Sequence, residues 1–347
     1  MNAFPPGAGG SVHLYQIMKR LSEHGCRIHK YFKDDENPYV HYFRRREFLQ
    51  FLNVPDLFYV RIEGRYLNER FNWWKYFKII NKPIIWEINS PIEEKIWRNQ
   101  IDRETLGSQN RARCKLASKT DAATAVSREM VEYAGNVLKI PKVKYVPNGS
   151  DPETFYRRNE SHPLLRGHEG ELKVVWSGSG EYIWQDVGLI ERIAERMMQK
   201  NNPVRFFIIG NVVRNEDLKN VTYIKSMPYD EIPELLGCAD VGLCLYRIME
   251  YEPYGFHFSP LKLYDYLASE LVVIGSKLGQ IDEVIEDGKN GYLVGDDVEE
   301  IVRLIHHICE NPAKSKAVAT EGRKLVTNFY HWDRAAQETL ELIRECI

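Results

Sequence analysis

The sequence lacks any cysteine pairing motif, any long apolar run and any excess of one charge. Its six cysteines, Cys26, Cys114, Cys238, Cys244, Cys309 and Cys346, are scattered. They form no C-x-x-C pair and no Cys/His cluster of zinc spacing, which argues against a zinc ribbon or a disulfide scaffold and reads as reduced thiols in a cytoplasmic protein. No apolar run reaches the roughly 18 residues of a spanning helix, and the N-terminus lacks the basic-then-apolar order of a signal peptide. The expectation is a soluble, cytoplasmic chain, with peripheral contact at the inner face of a membrane left open. Lys plus Arg number 47 against 49 Asp plus Glu, so no global field gathers nucleic acid, and no nucleic-acid partner is expected. There is no short-period repeat and no low-complexity tract.

What is present is length and alternation. At 347 residues the chain exceeds the roughly 250–300 at which one core stops growing, so two domains are expected. Apolar runs alternate with helical periodicity, which predicts parallel sheets flanked by helices, an α/β fold. Strands are expected over Leu57–Ile62, Pro83–Ile88, Ala122–Val126 and Val143–Pro147, then over Lys173–Ser177, Arg205–Ile209, Val221–Ile224, Val241–Leu245 and Val272–Ile274. Helices are expected over Gly10–His24, Asp186–Lys200, Asp230–Leu236, Pro260–Ser269 and Val298–Asn311. The polar stretch 156–171 reads as a linker between an N-terminal domain, 1–155, and a C-terminal domain, 172–330; residues 331–347 form a helix that packs back on either one. A doubly wound domain begins with a strand that feeds its glycine turn. Here the turn Pro5-Pro6-Gly7-Ala8-Gly9-Gly10 starts almost at Met1, so the first strand is expected to be missing or abbreviated.

Several motifs fall where such sheets place ligands. Gly9, Gly10 and Ser11, followed by His13, precede an amphipathic helix, so backbone N–H groups there face an anion or a hydroxyl; a plain turn with a Ser cap explains them equally well. The strand Pro83–Ile88 ends in Glu87 and Asn89, and Arg61 closes another strand; structural acid, turn former and surface Arg are the plainer alternatives. Ser259-Pro260 reads as N-cap and N1 of a helix whose Lys262 and Asp265 share a face. Free N–H groups, the positive dipole end and a first-turn Lys suit a diphosphate, and a carboxylate one turn on suits ribose hydroxyls; a surface Lys–Asp pair is the alternative. Gly279 lies in a turn after the next strand, and Asp287-Gly288-Lys289-Asn290-Gly291 reads as a structural hairpin-like loop.

Taken as an ordered set, these residues resemble the retaining GT-B glycosyltransferases of family 4 from Gly7 to Trp332. The ordered signals are Gly9-Gly10-Ser11-Val12-His13, Val146 to Phe155, the turn at Gly178-Ser179-Gly180, Ala239 to Leu243 and Glu283 to Val294. The segments Ser259 to Ala268 and Glu87-Ile88-Asn89-Ser90-Pro91 look like a subgroup with a P-L-K-x-x-E-Y donor segment. The resemblance implies two Rossmann-like domains facing across a cleft, and a nucleotide-sugar donor such as a UDP- or GDP-sugar held mainly by the C-terminal one. It also implies retention at the anomeric carbon, a glycan, lipid-linked or small-molecule acceptor, and neither cofactor nor metal. The donor set is then Gly178, Ser179, His257, Ser259, Pro260, Leu261, Lys262, Asp265 and Gly279. The acceptor side is Gly9, Gly10, Ser11, Arg61, Glu87 and Asn89, with Lys262, Asn89 and His13 as the catalytic set. Where the family has acids at both ends of its Glu, seven residues, Glu signature, this chain has His257 and Asp265, and Glu181 to Asp186 replaces the usual Arg and Lys-Gly clamp. A silent sugar-nucleotide or glycan-binding subunit is therefore the alternative. A nicotinamide oxidoreductase is disfavoured, because Cys26–Phe32 offers Arg27, His29 and Lys30 where an acid is needed.

Overall fold

The computed structural model describes residues 9–31, 37–61, 79, 81–97, 101–200, 203–250 and 253–347. Gly7 and the start of its turn lie outside them. The chain divides into two compact units, one of Met1–Asn148, Tyr251–Ser259 and Trp332–Ile347, the other of Gly149–Glu250 and Pro260–His331. The first division falls inside the Val146–Phe155 segment, and the 156–171 stretch, with its 3-10 turn Pro163–Leu165, lies within the second unit.

In the first unit the helix Gly9–Glu23 buries Val12, Ile17 and Leu21 at helical spacing. Two short strands follow, β1 (Ile28–Tyr31) and β2 (Val40–Phe43), paired in parallel with Ile28 opposite Val40. Neither is expected from the sequence, because Arg27, His29 and Lys30 break the apolar pattern. The main sheet is β3 (Phe58–Val60), β4 (Ile84–Ile88), β5 (Ala122–Ala125) and β6 (Val143–Tyr145), adjacent in that order and all parallel. β4 and β5 are buried along their whole lengths, as strands covered on both faces must be. Trp86, Ile88, Leu116, Met130, Tyr133 and Leu138 fill the core beside them. The helix Arg103–Ala117 starts where Asp102 Oδ1 accepts from Thr105 N–H at 2.7 Å. Its sequence is too polar to reveal it, since it contributes Gln109 and Arg113 to the buried side.

The second unit is a six-stranded parallel sheet. β7 (Leu172–Ser177), β8 (Val204–Ile209), β9 (Val221–Ile224), β10 (Val241–Cys244), β11 (Val272–Ser276) and β12 (Tyr292–Val294) lie in the order β9-β8-β7-β10-β11-β12. This is the doubly wound order: the chain builds outward from β7 in one direction, returns, and builds outward from β10 in the other. Because β7 and β10 are neighbours whose following segments leave in opposite directions, a crevice opens at their carboxyl ends. β12 pairs in parallel with β11, so the Asp287–Gly291 segment leads to an edge strand and is not a hairpin. Helix starts here are capped by Asp186 at Leu189 N–H and by Asp297 at Glu299 and Glu300 N–H. The helix Val298–Glu310 buries Ile301, Val302, Ile305 and Ile308 at the expected spacing. The helix Pro312–Phe329 after it has no counterpart among the helices expected from sequence.

The helix Leu261–Ala268 is seated by one ring. Tyr266 lies across β10 where Gly242 has no side chain: a Cβ there would stand 2.5 Å from Tyr266 Cδ2 and 2.6 Å from Cγ. The Tyr266 hydroxyl accepts from Ser177 N–H at 2.8 Å, tying the helix to the end of β7. Gly242→Ala should therefore lower stability by about 1–3 kcal/mol through overpacking, read as a fall of roughly 2–4 °C in Tm per kcal/mol. An unchanged melting temperature would show that Tyr266 moves aside freely.

Candidate functional site

The crevice between β7 and β10 is spanned by Lys262. The helix that carries it begins at Leu261, with Pro260 at the cap position in extended backbone and no side-chain cap. From there Lys262 reaches Trp176, the penultimate residue of β7, with Nζ 4.2 Å from the ring centroid. Tyr246, just past β10, stands on the same ammonium at 5.6 Å. The residue is half-buried, but Nζ itself is enclosed and makes no hydrogen bond. Burial pulls its pKa down to about 8, and the nearby Cys244, whose thiol burial pushes up to about 12, opposes this. A desolvated cation held by two aromatic faces and no acceptor is poised for an anion.

The turn after β7 borders the crevice. Gly178 N–H donates to Ile209 O at 3.0 Å, and a Cβ on Gly178 would stand 2.7 Å from Trp176 Cη2, so only glycine lets the chain cross the indole. Gln185 Oε1 accepts from Gly180 N–H at 2.8 Å and from Ser179 Oγ at 3.0 Å. Ser179, expected on the donor, thus has its hydroxyl engaged in closing the turn. Gly279 opens the short helix Gly279–Val284 after β11.

Asp265 sits one turn beyond Lys262 on the same helix and is 4% exposed. Ser150 Oγ donates to its Oδ1 at 2.6 Å, and the Tyr229 hydroxyl lies 3.2 Å from both oxygens. Burial raises its pKa to about 7 against the pull of these two hydroxyls. These bonds fasten the segment that starts at Ser150 to the helix. Gly149 makes the same closure possible, since a Cβ there would meet Tyr330 O at 2.7 Å. Arg323 completes it, with Nη2 donating to Pro152 O at 2.9 Å and Nη1 to Phe155 O at 2.7 Å.

Two further residues expected on the donor, Ser259 and His257, have their partners in the first unit. Ser259 does not cap the helix. It belongs to the first unit, where its Oγ accepts from Asn148 N–H at 3.0 Å and its carbonyl from Asn148 Nδ2 at 2.6 Å. His257 also belongs to the first unit and is wholly buried, with Nε2 3.4 Å from Glu94 Oε2 and its ring against Phe258. Sequence position makes both of them neighbours of Lys262; their partners lie 111 and 163 residues away, a separation that local reading does not bridge.

In the first unit His13, Glu87 and Arg61 come together. His13 Nε2 lies 3.3 Å from Glu87 Oε1, which also accepts from Arg61 Nη1 at 3.1 Å. His13 Nδ1 meets Asn148 Oδ1 at 2.5 Å, and the imidazole stands edge-on to Trp332. Burial lowers the His13 pKa against the pull of Glu87 and of the hydrogen bond to Asn148. Burial pushes the Glu87 carboxyl upward, but His13 and Arg61 outweigh it and hold it below the usual range. Both ring nitrogens of His13 are engaged, and the residue is 2% exposed. Asn89 is half-buried beside this group, with Oδ1 enclosed and without a partner. Gly9 and Gly10 form the first residues of the opening helix, followed by the buried Ser11.

Sequence reasoning missed Trp176 and Tyr246. The available signal was a Trp near the end of an otherwise Val-rich strand, just before a glycine turn. A pH test follows from Asp265. Its folded pKa lies above the ordinary 3.8, so between these values the folded state keeps a proton that the unfolded chain has lost, and stability falls as pH rises toward and through about 7. Asp265→Asn removes this dependence: the Tm of the variant minus that of the parent should grow from about pH 5 to about pH 8. A constant difference would show a carboxylate ionised throughout.

Residues 172–311 match the family model described as glycosyl transferases group 1. Spore coat protein SA of Bacillus subtilis (strain 168) is 28% identical over 228 residues, 58% of this chain and 58% of its own. The chain therefore spans less than two thirds of the length of that relative. Among solved structures, sucrose-phosphate synthase from Thermosynechococcus elongatus is similar over 97% of this chain and 93% of its own, with a TM-score of 0.71 at 16% identity. Anabaena HepE in complex with UDP and glucose is similar over 97% and 96%, also with a TM-score of 0.71 at 16% identity. The chain thus has the GT-B fold of two Rossmann-like units, and its segment 172–311 carries the pattern of the glycosyl transferases group 1.

Proposed function

We propose that this protein is a retaining glycosyltransferase that moves a sugar from a nucleoside-diphosphate sugar to a glycan, lipid-linked or small-molecule acceptor. The observation that carries the reading is the Lys262 ammonium, enclosed and without an acceptor between Trp176 and Tyr246 at the carboxyl ends of β7 and β10. Sugar transfer builds negative charge on the departing diphosphate while the sugar becomes oxocarbenium-like, so a fixed cation in a low-dielectric crevice acts where charge develops. The first-turn N–H groups after Pro260 add the positive end of the helix. The match of residues 172–311 to glycosyl transferases group 1 and the likeness to HepE, whose structure holds UDP and glucose, support a nucleotide-sugar donor, UDP-linked or GDP-linked. The acceptor is assigned to the first unit, at Gly9 to Ser11 and Asn89, with His13, Glu87 and Arg61 holding that end of the sheet.

Among the described residues no helix is long and apolar enough to cross a membrane; a lipid-linked acceptor would be met at the membrane surface from the cytoplasmic side. A silent nucleotide-sugar-binding subunit is the second reading. It is favoured by His257, which stands where the resembled family has an acid and is bound instead to Glu94. Release of free sugar from the donor by purified protein separates the two.

The reading is tested with a thermal-shift panel of UDP, GDP, ADP and TDP, in which a ligand at about 100 times its Kd adds about 2.7 kcal/mol. Lys262→Ala should weaken the bound diphosphate about 10- to 100-fold, because a hydrogen bond to a charged group contributes about 1.5–3 kcal/mol. The nucleoside should bind as before. In the parent, diphosphate affinity should fall as pH rises through about 8, where the ammonium loses its proton; Lys262→Arg should abolish that fall. Equal losses for nucleoside and diphosphate would reduce Lys262 to a support of its helix.

A further inference from the structure

Trp176 is a core residue by burial, yet its indole N–H is enclosed without a hydrogen-bond partner. A buried donor left without an acceptor bears its whole desolvation penalty, and a Phe in the same position would fill the core without it. Other buried donors in the protein also lack partners, but this one belongs to the ring on which the Lys262 ammonium rests at 4.2 Å, and that ammonium is itself without an acceptor. Two donors on neighbouring side chains, both enclosed and both without an acceptor, thus lie at the end of β7.

We propose that Trp176 is a binding residue of the donor site: its Nε1–H donates to the same phosphate group that the Lys262 ammonium neutralises, while its ring face holds the ammonium in position. This rests on the donor reading above and extends it to a residue whose type alone suggests only packing. The surrounding geometry suits a fixed ring. A Cβ on Gly178 would stand 2.7 Å from Cη2 and 2.8 Å from Cζ2, and one on Gly210 would meet Gly178 O at 2.2 Å, so Gly178 admits the backbone to the outer edge of the indole and Gly210 admits Gly178.

The experiment compares Trp176→Phe and Lys262→Ala with the parent, each titrated with UDP, GDP, ADP and TDP and with the corresponding nucleosides. Trp176→Phe keeps an aromatic face and loses the donor. Affinity for the preferred diphosphate should fall about 10- to 100-fold with nucleoside affinity unchanged. Parent-like diphosphate binding by Trp176→Phe overturns the proposal, as does an equal loss for nucleoside and diphosphate. A loss in Lys262→Ala with none in Trp176→Phe leaves the donor reading standing and removes Trp176 from it. A parent that binds none of the four diphosphates ends both.

Should Trp176→Phe fail to fold, the parent gives the answer by nuclear magnetic resonance. Of the indole N–H signals of its seven tryptophans, the one whose ring shows contacts to Gly178 and Gly210 should move downfield with the diphosphate and stay in place with the nucleoside. A signal unmoved by the diphosphate overturns the proposal.

Discussion

A charged ammonium enclosed without a hydrogen bond is the constraint around which the second unit is arranged. Desolvation opposes the charge, and two aromatic faces recover part of the loss, since a desolvated cation–π pair contributes about 2 kcal/mol. The Lys262 position is set by packing and by the hydrogen bonds of its helix. Gly242 admits the Tyr266 ring, Tyr266 fixes its helix to Ser177, and the helix start then delivers Lys262 across Trp176. The strand order supplies the remaining condition, because β7 and β10 are the neighbours from which the following segments diverge.

The first unit treats its buried charge differently. Glu87 is answered by Arg61 and His13, and His13 is answered in turn by Asn148, which also holds Ser259. Asn148, Ser259 and Trp332 are each the last or first residue of a segment of that unit, and all three meet through His13 or Asn148. A polar network of this kind rigidifies and specifies, in contrast to Lys262, whose surroundings supply no acceptor.

Much of the fold was legible in the sequence because parallel strands buried on both faces read as short apolar runs. β4, β5, β7, β8, β10 and β11 are of this type. β1 and β2 were not, since His29, Lys30 and His41 place polar side chains in a two-stranded pair that needs no double burial. β12 is three residues long and reads as the end of a loop. At the site, Lys262 and the helix start were legible because dipole, spacing and charge are local properties. The placement of Ser259 and His257 was not, because their partners Asn148 and Glu94, within the same first unit, are far away in sequence.

Asp265 shows how far residue type can be separated from role. A carboxylate one turn after a phosphate-facing Lys suggests a ribose ligand, and its two oxygens have room for further donors beyond Ser150 and Tyr229. Burial nonetheless sets its proton affinity close to neutrality, and in that state its strongest obligation is to the two hydroxyls that it already holds, Ser150 and Tyr229. Any ligand that used Asp265 would have to compete with that closure, whereas a ligand on Lys262 and Trp176 competes with no protein acceptor. The unanswered charge at the ends of β7 and β10 is therefore the cation of Lys262 and not the carboxyl group of Asp265.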